Sequence, residues 1–296
     1  MNIPVVFCFD KRIILGASVA IKSLIDCAKG DTSYDIRIFH SDLDIKNQKN
    51  ITRLAENTNH RISFHYINPK IFLDAPHNRK SWTEIVYYRL LIPEILKEYD
   101  KVIYSDVDVL FKGDLSEVYN TDLAGNEFAA VPVELNRKNK MVCHKYFPEN
   151  TNDKIFISSF IVMNCGLMRE EKTVKKFFEA IEHFGNRLKF FDLDVLNITC
   201  DKILPLDFRY GVFQSIEYGE DITKAKEYKF LKEIYSLEDL EEAKQNPVMV
   251  HYAGKSGKPW RMKNPYPDYK EYMDSLPKEL VQYTFRDLRK RFFNKR

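Results

Sequence analysis

The sequence predicts an α/β protein in which a mostly parallel sheet is wrapped by helices. Three observations carry this. Strand-like and helix-like segments alternate from the N-terminus onward, the pattern of a sheet with crossover helices. Residues 101–111 (KVIYSDVDVLF) set an apolar run before two carboxylates, as a buried parallel strand reaching its sheet edge does. Over 296 residues the chain is 44% hydrophobic and 30% charged, enough for the core of one large domain, and no apolar run nears the roughly 20 residues that a membrane-spanning helix needs.

Taken in order, residues 3–9 read as a first strand. The start MNIPVVFCFDKR lacks the basic opening and longer apolar region of a secretory signal. Residues 14–28 have helical spacing, with Val19 and Leu24 on one side. Residues 34–40 (YDIRIFH) alternate like a strand, 44–57 form a polar helix, and 61–67 (RISFHYI) a further strand. A helix over 83–99 carries Arg89 and is kinked or interrupted at Pro93. After the central stretch, 127–133 and 155–164 look like strands and 173–183 like a helix. Another helix starts at Asp192, a possible cap. A short strand over 248–252 runs into HYAGKSGKPW, while 202–246 has no clear pattern.

The cysteines Cys8, Cys27, Cys143, Cys165 and Cys200 are scattered and contain no C-x-x-C pair. That argues for a reducing compartment and against a disulfide framework or a zinc site.

The chemistry gathers at residues 101–111. In an extended segment Asp106 and Asp108, two apart, aim at one point, and a divalent cation holding phosphate oxygens would fill it. The bland reading of an isolated D-x-D is a solvated turn. In open parallel sheets ligands sit beyond the carboxyl ends of the strands. Asp10, the Asp106–Asp108 pair and His251 each follow a strand, so all are expected along one edge. Two aspartates and an imidazole suit Mn²⁺ or Mg²⁺. A lone histidine is more often a hydrogen-bonded strand end. Here Gly254 and Gly257 allow close backbone approach, and Lys255 and Lys258 supply positive charge, which makes a phosphate clamp beside the third ligand.

Taken together, FCFD near the start, Arg89, YSDVDV, DLDVLN and HYAGKSGKPW resemble glycosyltransferase family 8, over about residues 3 to 260. The lipopolysaccharide sugar transferases of bacteria are the members most similar in style. The resemblance implies a GT-A fold and a retaining, metal-dependent transfer of galactose or glucose from a UDP-hexose to a saccharide or glycolipid acceptor. Carried over residue by residue, it implies that Cys8 and Asp10 face uracil and ribose. Arg89 would reach the donor sugar or diphosphate. Asp106, Asp108 and His251 would hold Mn²⁺ or Mg²⁺, with Asp106 also near the sugar and Val107 beside the nucleotide. Asp192 would hold sugar hydroxyls, and Gly254 and Lys258 would close over the diphosphate. Asp192, Arg89 and Asp106 are thus the implied catalytic set.

The chain departs from the family pattern in four places. The first strand end reads Asp10-Lys11-Arg12-Ile13 rather than D-D-N-Y. D-Q-D is Asp192-Leu193-Asp194, so a glutamine nucleophile is excluded. The F-N-A-G-V strand is Phe156-Ile157-Ser158-Ser159-Phe160, leaving Ser158 or Ser159 to take the asparagine's part. The final loop is one residue longer than H-x-x-G-x-x-K-P-W, although Lys258 keeps its place before Pro259-Trp260.

The chain divides into a catalytic domain, 1–265, and a basic tail, 266–296. Net charge is +3, yet residues 280–296 hold six lysines and arginines against Asp287 alone, so the body is slightly acidic. That excludes a nucleic-acid surface. At helical spacing Val281, Phe285, Leu288 and Phe292 share a face ringed by cations, as in helices that lie on anionic membranes. The expectation is a cytoplasmic protein, peripheral at the inner face of a bacterial inner membrane. Two other readings stand beside the transferase. A sugar nucleotidyltransferase needs a Gly-rich basic loop near the N-terminus, where residues 8–18 hold only Gly16. A degenerate module binding nucleotide-sugar or glycan without turnover is kept open by Leu193 and Ile157.

Overall fold

The computed structural model describes residues 1–77, 83–137, 146–254 and 257–293. The chain begins with β1 (Asn2–Cys8), α1 (Ile14–Asp26), β2 (Ser33–His40), α2 (Ile45–Thr52) and β3 (Arg61–Tyr66). It continues through α3 (Ile92–Ile95), β4 (Lys101–Ser105), β5 (Val109–Phe111), α4 (Ser116–Tyr119), β6 (Phe128–Leu135) and β7 (Lys154–Asn164). Next come α5 (Cys165–Glu170), α6 (Thr173–Phe184), α7 (Asp192–Thr199), β8 (Ile203–Pro205), β9 (Val212–Phe213), α8 (Gln214–Glu217), α9 (Tyr228–Leu231), α10 (Leu237–Gln245) and β10 (Met249–His251). α11 (Pro267–Ser275) and α12 (Phe285–Phe293) complete the described chain.

A seven-stranded sheet has the order β3-β2-β1-β4-β7-β6-β8. β1 to β4 pair in parallel, β6 pairs in parallel with β8, and β7 runs antiparallel between β4 and β6. The carboxyl ends of β1, β4 and β6 therefore share one edge with the amino end of β7. β1 is buried from Ile3 to Cys8, without alternation, because helices cover both faces of the sheet. α1 is buried on nearly every side. Ile14, Ala17, Ile21 and Leu24 join the main core, while Leu15 and Val19 pack with Tyr269, Met273 and Leu276 near and within α11. Residues on both sides of position 265 thus share one apolar cluster.

Three details differ from the sequence expectation. β4 ends at Ser105, before the carboxylates as expected, but residues 109–111 form a separate strand, β5, that belongs to a second sheet of order β5-β10-β9. His251, at the end of β10, therefore does not extend a strand of the parallel sheet. β10 is antiparallel to β5, with His251 opposite Val109. An apolar run ending in a polar residue marks a strand but carries no information on which sheet receives it. The third detail is the helix over 83–99, which is a 3₁₀ stretch, Glu84–Leu91, followed by α3. Pro93 sits in the first turn of α3, where its missing N–H is tolerated, so of the two expectations it goes with an interruption, where a new helix begins, and not with a kink. Of the cysteines, Cys8, Cys27, Cys165 and Cys200 are free thiols. Cys143 lies outside the described residues.

β6 contains Pro132, which cannot donate to a ladder, and its pairing with β7 shifts register on both sides of that residue. Just beyond, Glu134 is buried, and its Oε1 has no hydrogen-bond partner among the described residues. Burial, reinforced by Glu233 and opposed by Lys229, pushes its carboxyl up to about 7 from 4.5. A carboxyl whose folded value is raised binds its proton more tightly folded than unfolded, so stability falls as pH rises between those two values. Glu134→Gln removes the ionisation. The variant is expected to gain on the order of 1–3 kcal/mol relative to the unsubstituted protein at about pH 8 and little at about pH 5. Thermal melts across that range would show the difference, and parallel curves would contradict it.

Candidate active site

The turn Asp106-Val107-Asp108 joins the two sheets. On one side the Asp106 amide donates to Ser159 O of β7 at 2.8 Å; on the other, the Tyr252 amide just past β10 donates to Asp108 O at 2.9 Å. The Val107 side chain is buried in the core between them. This places one ligand atom each from Asp106, Asp108 and His251 within 4.8 Å of one another. His251 is buried, its Nε2 is 3.7 Å from Asp108 Oδ1, and its Nδ1 has no partner among the described residues. Two carboxylates and an imidazole with an orphaned ring nitrogen fit a hard divalent cation such as Mn²⁺ or Mg²⁺.

Arg89 lies beneath this turn. It is buried, with its guanidinium 4.2 Å from the centroid of the Tyr104 ring. Nη2 donates to Asp106 Oδ1 at 2.8 Å, Nη1 to Ser158 O at 2.6 Å, and Nε to Val86 O at 3.1 Å. Nη1 also makes an ion pair with Asp192 Oδ2 at 3.2 Å, out of hydrogen-bond alignment. Burial alone would lower the guanidinium's proton affinity, and the two aspartates reverse that. These bonds commit Arg89 to protein groups.

Asp192 opens α7 as its first helical residue; Phe191, and not Asp192, occupies the cap. Phe191 has φ 53, a left-handed value that a bulky residue rarely adopts. Asp194 holds this turn: its Oδ2 accepts from the amides of Lys189 and Phe190. Asn197, three residues on, bonds both the amide and the carbonyl of Phe156 at the start of β7, at 2.8 and 2.9 Å. Asp194 and Asn197 therefore aim Asp192 at Arg89. Burial pushes Asp192 up to about 6; Asp106 adds to this, while Arg89 and Ser158 oppose it. Asp194 is also raised to about 6 by burial, against its two amide donors.

Beside this group Cys8 ends β1. Burial raises its thiol, with Arg89 opposing and Asp106 and Asp192 adding, so it stays protonated. Asp10 faces its own neighbour: Oδ1 takes the Arg12 amide at 2.8 Å and Oδ2 takes Arg12 Nε at 2.7 Å. The sequence showed Lys11-Arg12 as a departure but not that Arg12 would neutralise Asp10. Ser158 gives its carbonyl to Arg89, and Ser159 gives its carbonyl to Asp106. Leu193 is buried in the core.

The loop after β10 closes the site. Gly254 and Gly257 have φ of 73 and 95, values that suit glycine. Lys255 lies outside the described residues. Lys258 donates to Asp108 Oδ2 and to Tyr252 O. Burial would raise Asp108, but Lys258 and His251 hold its carboxyl well below the usual range. Trp260 anchors the loop on α1 beside Leu15 and Val19, where a Cβ at Gly16 would stand 2.7 Å from its ring. Lys226, from a region the sequence left unread, lies beside Gly254, with its Nζ 3.7 Å from where a Cβ would be.

Residues 4–264 match the model of glycosyl transferase family 8. The chain belongs to this family. Among curated relatives, the lipopolysaccharide 1,3-galactosyltransferase of Salmonella typhimurium is 27% identical over 269 residues, 87% of this chain and 73% of that protein. A lipopolysaccharide 1,2-glucosyltransferase of Escherichia coli is 25% identical over 259 residues, 85% and 71% of the two chains. Among solved structures, the galactosyltransferase LgtC, crystallised with donor and acceptor sugar analogs, superposes with a TM-score of 0.75 at 22% identity, over 94% of this chain and 98% of LgtC. The bifunctional enzyme WbbM superposes with a TM-score of 0.73 at 25% identity, over 94% of this chain, which spans half of WbbM. The mixed sheet with its flanking helices is the GT-A fold of these glycosyltransferases.

Within this family 8 protein, Arg89 is the buried cation paired with two carboxylates, Asp192, which is buried, and Asp106, which is partly exposed. Removing one partner from such a group leaves charge unpaired. Arg89→Met is expected to destabilise the protein by about 3–5 kcal/mol in equilibrium denaturant unfolding; a loss under about 1 kcal/mol, the scale of an exposed pair, would show the network to be slack.

Proposed function

We propose that this family 8 glycosyltransferase is a retaining, divalent-cation-dependent hexosyltransferase. Its donor is a UDP-hexose, galactose or glucose, and its acceptor a saccharide of the lipopolysaccharide or lipooligosaccharide type. The observation that carries the reading is the convergence of Asp106, Asp108 and His251 within 4.8 Å beside the Lys258 loop. The relatives that act on lipopolysaccharide support the acceptor class. Asp106, Asp108 and His251 would hold Mn²⁺ or Mg²⁺, which supplies positive charge to the diphosphate as its bond to the anomeric carbon breaks.

The chain's own groups take the remaining roles. Lys258, which pairs with Asp108 and the Tyr252 carbonyl at the site's edge, would offer the departing diphosphate a preorganised positive charge. Gly254 brings backbone close to the phosphates. Cys8 and Asp10 border the nucleotide at the end of β1, with Val107 behind it. Asp192, held by Arg89, accepts from sugar hydroxyls. Leu193 offers no nucleophile, and retention follows from attack on the same face, with the leaving phosphate oxygen taking the acceptor hydroxyl's proton. A glycosyl adduct trapped on Asp192 and read by mass spectrometry would overturn that route.

The basic tail is proposed to rest on an anionic membrane at the cytoplasmic face of a bacterial inner membrane, where a glycolipid acceptor would lie. α12 docks by its polar side. Asp287 is fully buried, accepting from Arg261 Nε and from the amide and hydroxyl of Thr284, and Arg291 donates to Met262 O. The apolar side turns outward, with Phe285 84% and Phe292 66% exposed. Val281 instead packs on the body. Lys295 and Arg296 lie outside the described residues. No described helix is long and apolar enough to cross a membrane.

Two expected outcomes test these readings. With Mn²⁺ present, UDP is released from UDP-galactose or UDP-glucose, faster with a lipooligosaccharide acceptor, and Asp108→Asn abolishes the release. Nucleotide binding without release would favour a binding module. Separately, Phe285→Ser with Phe292→Ser, which spares the Asp287 anchor, and truncation after Tyr283 should both release the protein from phosphatidylserine vesicles at low salt. Retention of both variants on the vesicles would refute the membrane reading.

A further inference from the structure

Tyr104 has no role in the chemistry described so far, yet its hydroxyl ends on a proposed cation ligand. It lies two residues before Asp106 at the end of β4, is 1% exposed, and donates to Asp106 Oδ1 at 2.6 Å. Arg89 Nη2 donates to the same oxygen at 2.8 Å, with the guanidinium over the Tyr104 ring. Among the described residues no other donor reaches Asp106 side-chain oxygens. Two short bonds to one carboxylate oxygen fix the plane of the group, because a terminal carboxylate otherwise turns freely about its last torsion.

We propose that Tyr104 is a positioning residue for cation binding: its hydroxyl, with Arg89, pins Oδ1 of Asp106 into the protein and leaves Oδ2 presented toward Asp108 and His251. The inference rests on the cation-dependent reading above and extends it to a residue behind the ligand shell. Oriented ligands of this kind depend on the groups behind them nearly as much as on their own atoms. Arg89 alone cannot set the plane, since it also serves Ser158 O and Asp192. The tyrosine bond is the one made to Asp106 alone.

Tyr104→Phe keeps the ring under Arg89 and deletes only the hydroxyl. The test titrates Mn²⁺ in the presence of UDP, following the electron paramagnetic resonance signal of free Mn²⁺, with circular dichroism as the check on folding. The variant is expected to fold and to bind Mn²⁺ about 10- to 100-fold more weakly. In an Asp106→Ala background the same change should have no further effect, a non-additivity that mere packing would not produce. Unaltered Mn²⁺ binding by Tyr104→Phe, or an equal loss in both backgrounds, overturns the proposal. Asp108→Asn separates the two levels. If it loses Mn²⁺ while Tyr104→Phe does not, only Tyr104's role fails; if it binds Mn²⁺ as well as the unsubstituted protein, the cation reading fails and this inference with it.

Discussion

The buried guanidinium of Arg89 is the constraint on which the rest of the site depends. Asp192 is buried beside Asp106, and without a cation its burial and its neighbour's charge would both disfavour its ionised form. Arg89 lies between them, touching Asp106 on the turn after β4 and Asp192 at the start of α7. It also bonds the carbonyl of Ser158, so β7 is tied to the same point. Three chain segments far apart in sequence are thereby held at one place. Net charge in the pocket is lowered without a side chain entering from solvent.

A second cation does similar work on the outer side. Lys258 stands on Asp108 and is held there by the Tyr252 carbonyl as well. The two lysine contacts differ in character, since one carboxylate can change partners and a main-chain carbonyl keeps its place. The loop that carries Lys258 is anchored by Trp260 against α1 at a glycine where no side chain would fit. Its ends are thus fixed by packing while the ammonium group keeps a choice of anions.

Much of this was legible in the sequence because the chemistry is local. Asp106, Asp108 and His251 each follow an apolar run, and the glycine-lysine loop lies directly after His251. What stayed hidden depends on partners brought from a distance. Nothing in YSDVDV shows that the strand breaks between sheets, because β5 is chosen by β10, well over 100 residues on. Asn197 reads as an ordinary helix residue, and only the fold sets its amide on the backbone of Phe156. Asp194 follows Asp192 by two residues at a predicted helix start, and only the fold shows that it holds the turn at Phe191. The periodicity of the tail gave Phe285, Leu288 and Phe292 as one outward apolar face but wrongly added Val281, which packs on the body, and Asp287, a lone acid among cations, decides which side of α12 meets the body.

The turn between Asp106 and Asp108 has a mechanical consequence. Its first residue is bonded to the seven-stranded sheet and its last to the smaller one. The gap between the two carboxylates is therefore set by how the two sheets sit against each other, as a caliper's gap is set by its arms. An ion gripped by both would stiffen the joint between the sheets, and a mutation that loosened their packing far from the pocket would be felt as slack in that grip.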